Sequence, residues 1–196
     1  MQADFASNFL LHVAANSFAK RLSTLYNFAM HTYELITPQT HPDYHERIAN
    51  MTEEIWPQFM LQSPVSAQYW GDLFSRFSAY QYALWDNATQ QIVAKGNSIP
   101  LAWDGDLADL PDGGWDWAFA QSVADHEAGR TPHTQCGLQI AIMPAFQGKG
   151  VSKLMVVAMR AIGEKMGLKR LIIPVRPSMK SRYPLTPMGN YIGVSG

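Results

Sequence analysis

The stretch between residues 137 and 175 constrains the fold more than any other part of the sequence. GLQIAIMP (137–144) is typical of a buried strand, and RLIIPV (170–175) is typical of a second one. Between them, VSKLMVVAMRAIGEKMG (151–167) places apolar residues at helical spacing and ends in Gly167, where a left-handed helix cap belongs. A strand, a helix and a strand at this spacing predict a parallel pair with a right-handed crossover.

The turn that joins the first strand to the helix contains two glycines. It runs Phe146-Gln147-Gly148-Lys149-Gly150-Val151-Ser152, and we call it the glycine turn. A helix start presents unpaired backbone N–H groups and the positive end of the helix dipole, which together bind anions such as phosphate. Gly148 and Gly150 allow positive φ and a close approach of the ligand to the backbone. The sequence therefore predicts a phosphate site here.

Two common phosphate-binding motifs do not fit the glycine turn. A Walker-type loop requires Gly at position 143 and Ser or Thr at position 150, where this chain has Met143 and Gly150. A dinucleotide fingerprint requires a third glycine at position 153, which is Lys153, and a strand-borne acid further on that is missing. Both motifs are excluded by position.

The charges of the chain are divided at the same turn. The net charge is −1, but residues 149–196 carry nine Lys or Arg and only one acid, Glu164, and the rest of the chain is acidic. A basic segment that begins at the glycine turn favours an anionic ligand, and a solvated helix face is the alternative. The basic residues are not interleaved with aromatic residues, so no nucleic-acid partner is expected.

The remaining pattern predicts a mixed α/β domain. The order includes a strand-turn-strand hairpin, in which Gly96 and Pro100 suggest a bulge or an edge. The predicted elements are a helix in 4–30, a strand at 32–38, helices in 41–60 and 65–77, strands at 79–86 and 90–103, and a helix at 115–129.

The glycine turn and its surroundings resemble the acetyl-CoA-binding motif of the GNAT (Gcn5-related N-acetyltransferase) superfamily. The shared pattern is a strand ending in proline, then Gln-x-x-Gly-x and a small residue, then an amphipathic helix. Ser152 stands where that family usually has Gly or Ala. The order of elements over residues 32–175 also fits the family. The resemblance implies an α/β fold, a GNAT-like mixed sheet that is splayed at its centre. It divides the chain into an N-terminal helical extension (1–30) and a GNAT-like acyltransferase domain (31–196).

By this resemblance, the chain transfers an acetyl group from acetyl-CoA, as co-substrate, to a small-molecule or peptide amine of unknown identity. The backbone of the first strand would pair with the pantetheine arm, and the amides of the glycine turn would take the pyrophosphate. Pro174 in the second strand agrees with this arrangement, because a proline has no N–H to donate and tolerates a strand side without a partner. The cofactor-binding residues that the resemblance implies are Ile140, Ala141, Ile142, Gln147, Gly148, Lys149, Gly150, Val151 and Ser152.

The resemblance leaves the catalytic groups less defined. The family often protonates the leaving thiolate with a tyrosine beyond the final strand above, and Tyr183 and Tyr191 are the tyrosines of that region, of which Tyr183 is our candidate. By the resemblance, we expect the C-terminal strands of the family to be missing or shortened here. A non-catalytic, degenerate CoA-binding module is therefore the alternative, and a third interpretation is a chain completed by strands of a neighbouring subunit.

Composition limits the remaining classes of site and partner. The chain has one cysteine, Cys136, which excludes an internal disulfide framework and predicts a buried thiol in a reduced, cytoplasmic setting. His41 and His45 have helical i, i+4 spacing but no evident third ligand, so no metal site is expected. The apolar runs are too short for a membrane span. A homo-oligomer remains open.

Overall fold

The computed structural model describes residues 33–49, 51 and 63–175. Five strands form one sheet in the order β1-β2-β3-β4-β5, with antiparallel neighbours except for the parallel pair β4–β5. The strands are β1 (Tyr33–Ile36), β2 (Gln81–Asp86), β3 (Gln91–Leu101), β4 (Thr134–Ile142) and β5 (Arg170–Ile172). The α-helices are α1 (Tyr44–Ile48), α2 (Pro64–Tyr69), α3 (Asp72–Ser75), α4 (Gly114–Glu127) and α5 (Val151–Lys165).

The predicted parallel unit forms β4, α5 and β5. The apolar stripe of α5 is buried through Val151, Met155, Met159 and Ile162, because residues three and four apart share one helix face. Gly167 adopts φ 79° just after the helix, which is the left-handed cap that the sequence predicts. The helix therefore lies on the sheet with its N-terminus beside the glycine turn.

Two predicted elements are shorter than their patterns suggest. The helix predicted for 65–77 is broken at Trp70 and Gly71 into α2 and α3, since glycine in a helix interior weakens it. The strand predicted for 170–175 ends at Ile172, two residues before Pro174, which cannot donate a hydrogen bond to a sheet. The first strand of the unit begins earlier than predicted, at Thr134, so that β4 is nine residues long.

Strand β3 has a bulge, but the bulge is not at Gly96, where the sequence suggests it. The bulge against β2 is at Val93, because Leu84 pairs with Ala94 and Trp85 with Ile92. Gly96 is instead needed for space, because a Cβ there would overlap the ring of Tyr82. Beyond residue 97, β3 pairs with β4 but no longer with β2. Pro100 lies in this part of the strand, where its missing N–H costs no hydrogen bond to β2.

Over the described ranges, no helix is long and apolar enough to cross a membrane. The predicted N-terminal helical extension (1–30) lies outside the described residues.

Candidate functional site

Strands β4 and β5 separate part of the way along their length. Their pairing is limited to Thr134 with Arg170, Gln135 with Leu171 and Cys136 with Ile172. β4 continues to Ile142 and keeps β3 as its neighbour over that whole distance. One side of β4 therefore has no strand partner from residue 137 to residue 142 among the described residues, which is the splayed geometry expected from the resemblance.

A β-bulge marks the point of separation. Asn97 pairs with Gln139 and Ser98 with Gly137, so Leu138 is the extra residue of β4. The indole Nε1 of Trp115, on α4, donates a hydrogen bond to the carbonyl oxygen of Leu138 at 2.9 Å. The bulge is thus held by a side chain from another element, a contact that sequence reasoning missed.

Beyond the bulge, the backbone groups of β4 alternate between β3 and the open side. The N–H of Met143 donates to the carbonyl of Val93 on β3 at 3.0 Å. By the alternation of an antiparallel ladder, Ala141 points its backbone groups toward β3, and Ile140 and Ile142 point theirs toward the open side. Of the three residues predicted to pair with the pantetheine arm, Ile140 therefore offers its N–H and its carbonyl to a ligand. Ile142 offers its N–H, since its carbonyl accepts from Gln147 Nε2.

The glycine turn connects this open edge to α5. Gly148 has φ 73° and Gly150, the N-cap of α5, has φ 80°, conformations that favour glycine. The side-chain Nε2 of Gln147 donates to the carbonyl of Ile142 at 3.2 Å and so ties the turn to the end of β4. Within the described part of the chain, the backbone N–H groups of residues 148–152 have no acceptor.

These exposed amides fit an anionic ligand. Gln147, Gly148, Lys149, Gly150 and Ser152 are all exposed, and Val151 is buried against the core. Five neighbouring N–H groups at the N-terminus of a 15-residue helix combine hydrogen-bond donors with the helix dipole. An extended ligand with a diphosphate at one end could therefore lie with its arm along β4 and its phosphates on the turn.

Within the described residues, the basic side chains of the segment from residue 149 onward are not all at the glycine turn. Lys149 and Lys153 lie at the glycine turn, and Lys149 Nζ is 5.5 Å from the ring centroid of Phe146. Arg160 lies about two helical turns beyond Lys153, where it bonds Glu164 at 2.8 Å. Of the basic residues that the structure describes, Lys149 and Lys153 are the ones next to the free amides.

A chain of amide side chains crosses three strands on the sheet face that carries α1. Gln139 Nε2 donates to Asn97 Oδ1 at 2.6 Å, and Asn97 Nδ2 donates to Gln81 Oε1 at 2.7 Å. Gln81 and Asn97 are buried, whereas Gln139 is partly exposed. Sequence reasoning missed this chain. The sequence shows a polar amide in each of three predicted strands, but it does not show that these amides face one another.

A groove of about 320 Å³ opens on the same face near the start of the turn. Arg47 lies 4.1 Å from the ring centroid of Trp85 and bonds Asp43 at 2.8 Å. The lining residues are Arg47, Met51, Trp85, Gln90, Gln91, Ile92 and Met143. Met143 follows the open edge of β4 directly, so the groove lies beside the end of the proposed ligand path.

Other residues considered from the sequence lie in structural roles. Asp125, at the end of α4, is buried and bonds Arg130 at 2.8 Å and the N–H of Ala102 at 2.8 Å. His41 precedes α1 rather than lying on it, and it contacts Glu34 at 3.4 Å.

The described residues contain no group of three or more His, Cys, Asp or Glu that could hold a metal ion. Cys136 is fully buried, as predicted, and burial raises the pKa of its thiol to about 12. Tyr183 and Tyr191 lie outside the described residues.

No protein-family model matches the chain. It is 30% identical over 171 residues to the arginine N-acetyltransferase avaD of Aspergillus versicolor, a match that covers 82% of this chain and 58% of that protein. The chain thus spans less than two thirds of the length of this relative. Among solved structures, it is similar to the loading GNATL domain of CurA from Lyngbya majuscula, with a TM-score of 0.56, 16% identity and coverage of 84% of this chain and 75% of that chain.

Proposed function

We propose that the chain is a member of the GNAT superfamily and an acetyl-CoA-dependent N-acetyltransferase that acts on a small-molecule amine, since its fold is similar to that of the GNATL domain of CurA. The observation that carries the proposal is the open edge of β4 leading directly to five backbone N–H groups without an acceptor among the described residues. The similarity to an N-acetyltransferase supports it.

We assign the binding of acetyl-CoA to β4 and the glycine turn. The open-side backbone groups of Ile140 and Ile142 would pair with the amides of the pantetheine arm. The amides of residues 148–152 would hold the diphosphate, with Lys149 and Lys153 adding positive charge. Gly150 takes part through its backbone, since a larger residue would be strained at φ 80°.

Acetyl-CoA supplies an activated thioester, whose C–S bond breaks as the amine nitrogen bonds the carbonyl carbon. The amine loses one proton, and the thiolate takes up one. The chain's contribution from the described residues is orientation, because holding two reactants in line removes much of the entropic barrier. Tyr183 remains our proposed proton donor to the thiolate. Tyr183→Phe should lower kcat and leave CoA affinity unchanged, whereas Tyr191→Phe should change neither.

The acceptor is the finer part of the proposal. The relative is named for arginine, so arginine is the first amine to test. A cytoplasmic setting agrees with a buried, unpaired Cys136 thiol.

The alternative is a module that binds CoA without catalysis. A transfer assay separates the two. Acetyl-CoA and the protein are incubated with arginine, lysine, ornithine, agmatine and aromatic amines, and released thiol is measured together with the acetylated product. We expect one acetylated product per thiol released. Binding of CoA without any product across the panel would favour the module. In the folded protein, Cys136 is buried and adds no signal to the thiol measurement.

A further inference from the structure

The chain of amides described above has a fixed direction. Gln81 Nε2 lies 2.7 Å from the carbonyl oxygen of Phe77 and 3.0 Å from that of Ser98. Carbonyl oxygens only accept hydrogen bonds, so this end of the Gln81 side chain must be its NH₂ group. The backbone therefore fixes the orientation of the first amide, which would otherwise be a matter of assignment.

The orientation passes from one amide to the next. Gln81 Oε1 can only accept, so Asn97 turns its NH₂ group toward it and its Oδ1 away from it. Asn97 Oδ1 in turn accepts from Gln139 Nε2. This leaves Gln139 Oε1 as the end of the chain, a carbonyl acceptor without a partner in the described part of the structure.

Gln139 lies next to the part of β4 along which we propose that acetyl-CoA binds. Gln139 follows the Leu138 bulge and precedes Ile140, whose backbone faces the open side of β4. Its side chain is partly exposed, whereas Gln81 and Asn97 are 0% and 1% exposed. Two buried amides thus hold a third one, and buried polar groups of this kind rigidify what they bond.

Resting on the proposed function, we propose that Gln139 is the residue that positions the acceptor amine, with its Oε1 accepting a hydrogen bond from an N–H of that amine. Asn97 and Gln81 act as positioning residues that keep this oxygen turned outward. A neutral carbonyl at this place would favour a substrate with N–H donors and would not remove its proton.

Three variants test the proposal. Gln139→Met keeps the length of the side chain and removes the oxygen, so the KM for L-arginine, or for the best amine of the panel, should rise about ten-fold or more. CoA affinity by calorimetry should stay within two-fold. Gln135→Met is the matched control, since Gln135 is a buried glutamine of the same strand whose Nε2 bonds Ser98 Oγ at 2.9 Å. It should leave KM unchanged.

Gln139→Glu tests the direction of the amide chain without any substrate. A carboxylate at position 139 would place an acceptor oxygen against Asn97 Oδ1, which is also an acceptor. If the Asn97 amide flipped to offer its NH₂ group instead, its Oδ1 would face the acceptor Gln81 Oε1. A protonated carboxyl can again donate. Lys95 lies on the same sheet face, opposite Ala141, and would attract a carboxylate at position 139, so this test is made in a Lys95→Met background. There, the melting temperature of Gln139→Glu relative to its Gln139 parent should fall as pH rises from 5 to 8. An equal difference at both pH values would overturn the assigned direction, and with it the outward oxygen.

The outcomes separate the two proposals. If wild type acetylates an amine and Gln139→Met has the same KM, the role of Gln139 is wrong and the function stands. If wild type binds CoA and acetylates nothing, the function and the role of Gln139 both fail. A rise in KM for Gln139→Met but not for Gln135→Met, with unchanged CoA affinity, supports the proposal, because a purely structural amide would not move KM alone.

Discussion

The indole of Trp115 and the carbonyl of Leu138 are joined by a 2.9 Å hydrogen bond at the point where β4 leaves β5. Trp115→Phe removes the donor and keeps an aromatic ring. We expect the free energy of unfolding to fall by about 1 to 2 kcal/mol, since a partly buried carbonyl loses its partner. Acetyl-CoA should also bind more weakly, because the bulge adjoins the proposed ligand path. Urea unfolding and calorimetry check the two effects.

Trp103→Phe is the control for that prediction. Trp103 Nε1 also donates to a carbonyl, that of Asp106 at 3.1 Å, but this bond is exposed. Its loss should cost less stability and leave acetyl-CoA binding unchanged. Equal effects of the two variants on binding would contradict a specific role for the Trp115 contact.

Gly96 and Tyr82 form a close contact in the core of the sheet. The Tyr82 ring crosses Gly96, and its hydroxyl donates to the Met155 carbonyl at 2.7 Å. Gly96→Ala should therefore displace the ring and lower the free energy of unfolding by about 3 kcal/mol, as overpacking does. In a Tyr82→Ala background, the same substitution should cost far less. Additive effects in urea unfolding would show that the contact is not tight.

Lys95 is buried, and desolvation lowers its pKa to about 8 from the ordinary 10.5. Below pH 8 both the folded and the unfolded chain carry this proton. Between pH 8 and 10.5 the unfolded state binds more protons, so the contribution of Lys95 to stability rises with pH by about 2 to 3 kcal/mol. The difference in unfolding free energy between wild type and Lys95→Met, measured from pH 7 to 10, isolates this effect from the other groups. A difference that is constant with pH would contradict it.

The sequence was sufficient for the local geometry around the glycine turn. The apolar spacing of α5 and the glycines at 148, 150 and 167 are short-range signals, and the structure has the helix and the three positive φ values that they predict. These features depend on neighbours within a few residues, which a single sequence shows directly.

Features that depend on distant partners could not be predicted in this way. The bulge at Leu138 depends on Trp115, 23 residues earlier in the chain, and Asn97 bonds Gln81 and Gln139 from two other strands. The break between α2 and α3 at Gly71 is a local feature that the prediction nevertheless missed. The apolar spacing over 65–77 indicated one helix, and it took no account of the glycine in its interior.

The binding of CoA to the glycine turn is tested most directly by calorimetry on wild type, Gly150→Val and Gly167→Val. Both glycines have φ near 80°, and a Cβ at either would meet no atom within 4 Å, so the backbone strain of the two variants is matched. Only Gly150 lies at the turn. We predict that wild type and Gly167→Val bind CoA and that Gly150→Val does not. Absence of binding to wild type at high micromolar CoA, or equal binding to all three proteins, would contradict the assignment.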